Sequence, residues 1–143
     1  MTFLSSLPQL IQRLQVGRTP NRALLESYRG HDWTQFIRMP MNRHTTPHTT
    51  PIPYSLWNNS TKQLLIRTWP QPTVQSYFQV NQTRTVKILE GSVYGTVRRF
   101  TGPPFPRYRE NVFVGETVIE TLADQHIELS TTYAVTLELV ETY

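Results

Sequence analysis

The histidines are the first candidates for chemistry in this chain, because imidazole binds metal ions and exchanges protons near neutral pH. The sequence has four, and His44 and His48 have the spacing of a metal pair on one helix face. Pro47 lies between them and disrupts that helix, so we expect no metal site there. His31 precedes Asp32, but adjacent residues on a helix point apart. A surface or capping role is therefore expected for His31, not acid–base catalysis.

A second group of candidates lies in the β-rich stretch 69–95, which reads as three strands separated by two turns. Apolar and polar residues alternate along its first strand. Turns are predicted at Asn81-Gln82 and at Glu90-Gly91, where glycine closes the second turn. The polar positions of the first strand, Tyr77 and Gln79, share one face of that strand.

The spacing in this stretch resembles the first motif of the cupin superfamily, which is a glycine, five residues, His-x-His, three or four residues, an acid, six residues and a glycine. Aligned on Gly91, the histidine slots hold Tyr77 and Gln79, and the acid slot holds Arg84. The resemblance implies a β-barrel. A phenol, a neutral amide and a cation are poor ligands for a divalent metal, so we expect no metal and no cofactor.

The sequence also resembles the cysteine dioxygenase branch of that superfamily. The matching segments are Trp69-Pro-Gln-Pro72, Val86-Lys-Ile-Leu-Glu-Gly91, Leu24-Leu-Glu-Ser-Tyr28 with Asp32-Trp33, and Ala134-Val-Thr-Leu-Glu-Leu139. In the last segment, Glu138 takes the slot of the branch's third histidine. The general second cupin motif, counted from Gly115, places His126 there instead. The branch's arginine that grips the substrate carboxylate would fall near Ile52 or Pro53, so that feature does not carry over.

Length and composition limit the fold. The chain has 143 residues, 38% of them hydrophobic, with eleven prolines, which suits one β-rich domain. We predict an all-β protein, a cupin-type jelly-roll β-barrel preceded by two or three short N-terminal helices. Residues 1–38 form the helical segment, 39–53 a Pro/Thr-rich connector and 54–143 the barrel. The chain has no cysteine, hence no disulfide and no thiolate ligand.

Local signals place the first elements. Apolar residues at helical spacing predict a first helix that Ser6 caps and Gly17 ends; they are Leu7, Leu10, Ile11 and Leu14. A second helix begins at 19–21 and ends near Gly30, and Asp32 caps a further turn. Two β-rich runs, 54–57 and 61–69, flank a turn of asparagines and serine and predict a hairpin.

The charge distribution and the lack of targeting signals bear on the binding partners and the location of the protein. Segment 98–109 is basic, aromatic and rich in proline, which suits nucleic-acid binding, but we favour a stiffened barrel rim and expect no nucleic-acid partner. All charged residues from Glu110 onward are acidic, an asymmetry that allows a homo-oligomer, although pairing of the ends within one barrel is the simpler explanation. No transmembrane run or secretory signal is present, so we expect a cytoplasmic protein without a membrane partner.

Two registers are possible for the strands that carry the candidate residues. In one register the polar residues face inward and form a ligand pocket, in which Arg84 pairs with Glu138. In the other, the polar residues are solvated and a dry core forms from Phe78, Val80, Leu137 and Leu139.

The sequence therefore predicts a degenerate, metal-free cupin of the cysteine dioxygenase type that binds a small molecule or a protein and has no catalytic residue. The predicted ligand pocket consists of Tyr77, Gln79, Arg84, His126 and Glu138. The alternative is a metal-dependent, dioxygenase-like enzyme with an atypical metal site.

Overall fold

The computed structural model describes residues 3–37, 52–69, 73–78, 81–99, 107–112, 118–121 and 125–143, with side chains described within 3–37, 53–69, 81–93, 118–120 and 134–143. The helical elements are α1 (Leu7–Val16), α2 (Asn21–Ser27) and a 3₁₀ turn (Asp32–Phe36). The strands are β1 (Ile52–Asn58), β2 (Lys62–Trp69), β3 (Thr73–Phe78), β4 (Gln82–Arg99), β5 (Arg107–Val112), β6 (Val118–Thr121) and β7 (Gln125–Thr142). The prediction of short N-terminal helices followed by strands is confirmed.

Helix α1 follows its predicted signals at both ends. The Ser6 hydroxyl accepts a hydrogen bond from the Gln9 backbone N–H at 3.3 Å, and Gly17 ends the helix with a φ of 72°. The predicted apolar stripe faces the core through Leu7, Leu10 and Leu14, all of them buried. Burial of each leucine contributes about 2 kcal/mol, so packing holds this short helix in place.

Asp32 has a different role from the predicted one. Its Oδ2 accepts a hydrogen bond from the Leu7 backbone N–H at 2.7 Å, and its Oδ1 accepts one from the Tyr28 hydroxyl at 2.5 Å. Asp32 therefore caps the start of α1, far away in sequence, and not its own turn. The second helix also ends earlier than predicted, at Ser27.

The strands form an antiparallel sheet in the order β1-β2-β7-β4-β5, in which β3 also pairs with β7 and β6 also pairs with β4. The two 18-residue strands β4 and β7 pair along almost their whole length, so they are the centre of the sheet. The predicted hairpin is confirmed as β1–β2, with the Asn59 side chain accepting hydrogen bonds from the backbone N–H groups of Thr61 and Lys62. Closure into a jelly-roll barrel stays a prediction.

The predicted turn at Glu90-Gly91 is wrong. Strand β4 continues through it, and its register against β7 shifts between Ile88 and Glu90 and again between Gly91 and Val93. Gly91 has a φ of 86°, a left-handed conformation that glycine adopts without strain. The glycine thus makes a β-bulge, which bends the strand without ending it.

Both faces of the sheet are buried at its centre. On the face called here the helix face, Leu64, Leu137 and Leu139 pack in one core cluster with residues of α1 and α2. On the opposite face, called here the Glu138 face, a second cluster contains Trp69, Ile88, Val93, Ile119 and Ala134. Strand β7 contributes to both clusters because successive side chains alternate between faces.

The predicted connector and segment 98–109 are described only in part. Residues 39–51 of the connector lie outside the described residues, and β1 begins at Ile52. Segment 98–109 is not a single loop, since Arg98 in β4 pairs with Arg107 in β5 and residues 100–106 between them lie outside the described part. Within the described part of the chain, no helix is long and apolar enough to cross a membrane.

Candidate functional site

Glu138 is the buried centre of the candidate site. It lies in β7 opposite Leu65 of β2 and Val86 of β4, and its side chain has no exposed surface. One carboxylate oxygen, Oε1, accepts a hydrogen bond from Arg84 Nη1 at 2.6 Å. The sequence-predicted ion pair between Arg84 and Glu138 is therefore present.

Arg67 completes the site, and sequence reasoning missed it. Its Nε donates to the other carboxylate oxygen, Glu138 Oε2, at 2.9 Å. The Thr136 hydroxyl donates to the same Oε2 at 3.0 Å and accepts a hydrogen bond from Trp69 Nε1 at 3.1 Å. The signal was present in the sequence, since Arg67 is the one charged residue in the largely apolar run 64–69 and lies two positions before Trp69, on the same face of the strand.

The arrangement is a buried ionic cluster, and we call Arg67, Glu138 and Arg84 the arginine–glutamate triad. The two arginine side chains are 13% and 11% exposed. Removing three charges from water costs several kcal/mol per ion, and close, well-directed hydrogen bonds offset that cost. Thr136 and Trp69 fix the carboxylate further, so the cluster has one defined geometry.

The alternative register, in which the polar residues are solvated and a dry core forms, is wrong for Glu138. Leu137 and Leu139 do lie in the core, but Glu138 between them is buried as well, because both faces of β7 are covered. The two predicted registers exclude each other only if one face of the strand is exposed to solvent. Val80, named in that alternative, lies outside the described residues, and only the backbone of Phe78 is described.

The other predicted pocket residues are described less fully. Tyr77 in β3 pairs with Ile127 of β7, and the neighbouring pair is Phe78 with His126. Their backbones thus lie in adjacent strands, while their side chains are not among those described. Gln79 lies outside the described residues. The convergence of these three residues with the triad stays a prediction.

The described residues do not fit a cupin metal centre. Within the ranges that the structure describes, no three His, Cys, Asp or Glu residues are grouped so that they could hold a metal ion. Both oxygens of Glu138 already accept bonds from cationic arginines, and a divalent cation there would meet two positive charges within a few ångströms. The chemistry of this donor set favours recognition of anions.

A second buried cation lies on the helix face. Lys87 Nζ donates to the backbone carbonyl of Leu25 at 2.8 Å and to that of Tyr28, at the end of α2. Burial, and then the charge of Arg29, lower the pKa of Lys87 to about 8, while Glu26 acts in the opposite direction. Burial and the bond to Asp32 raise the pKa of the Tyr28 hydroxyl. Sequence reasoning did not single out Lys87, because nothing in its local sequence marks it as buried.

No family model matches the sequence, and no curated protein matches it. Solved structures do match in fold. The cupin domain of Cnp3 from Schizosaccharomyces pombe is similar with a TM-score of 0.50 and 14% identity, over 68% of this chain and 71% of that one. The protein TT1209 from Thermus thermophilus gives a TM-score of 0.59 and 12% identity, over 78% of this chain and 95% of that one.

A recombinant oxalate oxidase in complex with glycolate is also similar. Its TM-score is 0.57 with 11% identity, over 71% of this chain and 55% of that one. At these identities the likeness concerns the fold alone. The antiparallel sheet, the short N-terminal helices and these neighbours together show that the chain has a cupin fold.

Proposed function

We propose that the chain is a metal-free, cupin-fold binding module of the cysteine dioxygenase type that recognises a small carboxylate through the arginine–glutamate triad. The observation that carries the proposal is the buried Glu138 carboxylate held by two guanidinium groups. In metal-dependent cupins such a carboxylate or an imidazole would bind the metal. Here the carboxylate orients two arginines instead.

Arginine suits this role because its planar guanidinium presents several N–H donors in a geometry that matches carboxylates. The Glu138 bonds named above use Nε of Arg67 and Nη1 of Arg84, and each bond restrains the orientation of its guanidinium group. A ligand carboxylate can then bind two oriented cations without ordering them first. The oxalate oxidase that shares the fold was solved with glycolate, a ligand of this chemical class.

The test uses glycolate as the probe and thermal unfolding as the readout. Glycolate is expected to raise the Tm of the parent chain, because a ligand that binds only the folded state stabilises it. The Arg67→Met and Arg84→Met variants are expected to lose this rise. Arg22→Met is the matched control, since Arg22 forms an exposed pair with Glu26 within α2 and makes no bond to the triad that the structure describes.

Two further outcomes decide the proposal. A glycolate effect of equal size in all four proteins, or in none, contradicts recognition by the triad. Elemental analysis of the dialysed protein is expected to show clearly less than one equivalent of iron, nickel or zinc. A stoichiometric retained metal favours the alternative, a dioxygenase-like enzyme in which His126 or Tyr77 joins Glu138 as a ligand.

A further inference from the structure

Lys87 occupies an unusual position for a lysine. It is only 4% exposed and lies on the helix face of β4, opposite Leu137 of β7. Its amine contacts two backbone carbonyls, those of Leu25 and Tyr28, and makes no ion pair with the acidic side chains of the described residues. Burying a lysine amine costs free energy of folding, and an apolar side chain could fill the same space without that cost.

A cavity of about 240 Å³ is lined by Lys87. Its wall also includes Tyr28 and Trp33, which supply apolar surface, and Arg29 and His31, which supply cationic or polar groups. Gly30 is also part of the wall, and its lack of a side chain is required. A Cβ there would lie 2.5 Å from the Ser5 carbonyl oxygen and 2.7 Å from a Tyr28 ring carbon.

We propose that Lys87 is a reactive amine that forms an imine with a small carbonyl compound bearing a carboxylate, of the 2-oxo acid class, in this cavity. The site is on the opposite face of the sheet from the arginine–glutamate triad. It therefore stands or fails independently of the proposed function.

The geometry accommodates the neutral amine, although Nζ also lies 5.7 Å from the centre of the Tyr28 ring, a contact that suits the charged form. A neutral amine has two N–H bonds and one lone pair, and the two carbonyls accept both hydrogens, which leaves the lone pair for the substrate carbon. Nζ attacks the carbonyl carbon, and a carbinolamine forms. The C–O bond then breaks and the oxygen leaves as water, which takes one proton from the amine and one from solvent. The product is a protonated imine that keeps one N–H, and no oxidant or reductant is needed.

The iminium product keeps one N–H, and the backbone can accommodate the loss of the other. The Leu25 carbonyl also accepts a hydrogen bond from the Tyr28 backbone N–H at 3.3 Å, so it keeps a donor when the amine hydrogen is lost. The remaining N–H of the iminium can stay on the Tyr28 carbonyl. No buried acceptor is then left without a donor, which is the usual cost of modifying a buried polar group.

Two further features support this chemistry. Burial and the charge of Arg29 lower the pKa of Lys87 to about 8, so a sizeable fraction of the amine is neutral near physiological pH. These are the two known ways of activating a Schiff-base lysine, removal from water and a neighbouring cation. The same Arg29 charge favours a substrate that carries a carboxylate.

The chain has only two lysines, so Lys62 is a control within the same molecule. The full chain is incubated at pH 8 with glyoxylate, reduced with sodium cyanoborohydride, digested and mapped by mass spectrometry. Lys87 is expected to be labelled at least about tenfold faster than Lys62, because burial lowers the pKa of Lys87 to about 8 and Lys62 does not line this cavity. Lys62→Arg should retain the label, and Lys87→Arg should lose it.

The remaining arms test the pocket and the substrate class. Propionaldehyde, which is neutral, should label Lys87 more slowly than glyoxylate, and Arg29→Gln should reduce that difference. Equal labelling of both lysines, or labelling of Lys87 only after unfolding in urea, overturns the proposal. This comparison uses the unmutated chain, so it does not depend on whether a variant folds. Equal rates for the two aldehydes overturn the carboxylate requirement.

Discussion

Lys87 and Glu138 lie at neighbouring positions of the paired strands β4 and β7, yet on opposite faces of the sheet. Lys87 is opposite Leu137, and Glu138 is opposite Val86. One step along the strand reverses the face, so the helix face receives the amine and the Glu138 face receives the carboxylate. The sheet therefore separates two buried groups of opposite charge. Glu138 bonds arginines on one face, and Lys87 bonds backbone carbonyls on the other.

Removing the Glu138 charge is expected to destabilise the fold strongly. Glu138→Gln leaves Arg67 and Arg84 close together without the carboxylate between them, which should cost about 3 kcal/mol of unfolding free energy. Glu26→Gln is the matched control, because Glu26 pairs with Arg22 at an exposed site and should change stability by less than about 0.5 kcal/mol. Urea unfolding of both variants measures this. Similar losses in the two would contradict a buried triad.

Thr136 is expected to matter through its hydroxyl alone. Thr136→Val keeps the shape of the side chain but removes the acceptor of Trp69 Nε1 and a donor to Glu138, so about 2 kcal/mol should be lost. Thr34→Val is the control, since the Thr34 hydroxyl bonds the His31 carbonyl at an exposed site. If the valine at 136 leaves the midpoint of unfolding unchanged, the Thr136 bonds do not stabilise the fold.

Asp32 is expected to stabilise α1 from a distance. Asp32→Ala removes the acceptor of both the Leu7 backbone N–H and the Tyr28 hydroxyl, which should cost about 2 kcal/mol. His31→Ala changes an exposed neighbour and should have little effect. Hydrogen exchange adds a local readout, since the Asp32 variant should lose protection in α1 more than in β7. Uniform loss would argue against a capping role.

Stability is expected to rise with pH between about 8 and 10. In that window Lys87 has lost its proton in the folded chain but keeps it in the unfolded chain, so raising the pH removes the cost of burying a charge. Above about 10 the sign reverses for Tyr28, whose pKa is raised, because only the unfolded chain releases that proton. Unfolding free energies at pH 7.5 and 9.5 should differ in the parent chain by about 2 kcal/mol and far less in Lys87→Met. Equal pH dependence in both proteins would remove Lys87 as the cause.

A metal site can be built if the cupin alignment is correct. The motif predicts that Tyr77→His, Gln79→His and Arg84→Ala give two imidazoles and a carboxylate that bind cobalt. The structure adds that Arg67 still holds Glu138 in this triple variant, so Arg67→Ala is needed as well. Cobalt absorption should appear in the fourfold variant and disappear on adding Glu138→Ala. Dependence on His126 in its place would support the second alignment, and a folded variant without cobalt would count against both.

The sequence by itself determined those features that depend on neighbouring residues. Ser6 and Gly17 define the ends of α1, because capping and backbone conformation act within a few residues. The β-rich runs of β1 and β2 and the asparagine turn between them likewise define a hairpin. The spacing around Gly91 indicated the cupin frame and the slot of Arg84, and the resemblance of segment 134–139 to the dioxygenase branch added Glu138 to the same predicted pocket.

Tertiary structure decided the features that depend on what covers each face. The strand containing Leu137 and Glu138 has the alternation of a strand with one exposed face, and only the helices on one side and the second core cluster on the other bury both. Arg67 reaches Glu138 across 71 residues, and Lys87 reaches Leu25 across 62. A local pattern can mark a residue such as Arg67 as unusual, but it does not identify the distant partner, because pairing and burial are properties of the packed sheet and not of the strand.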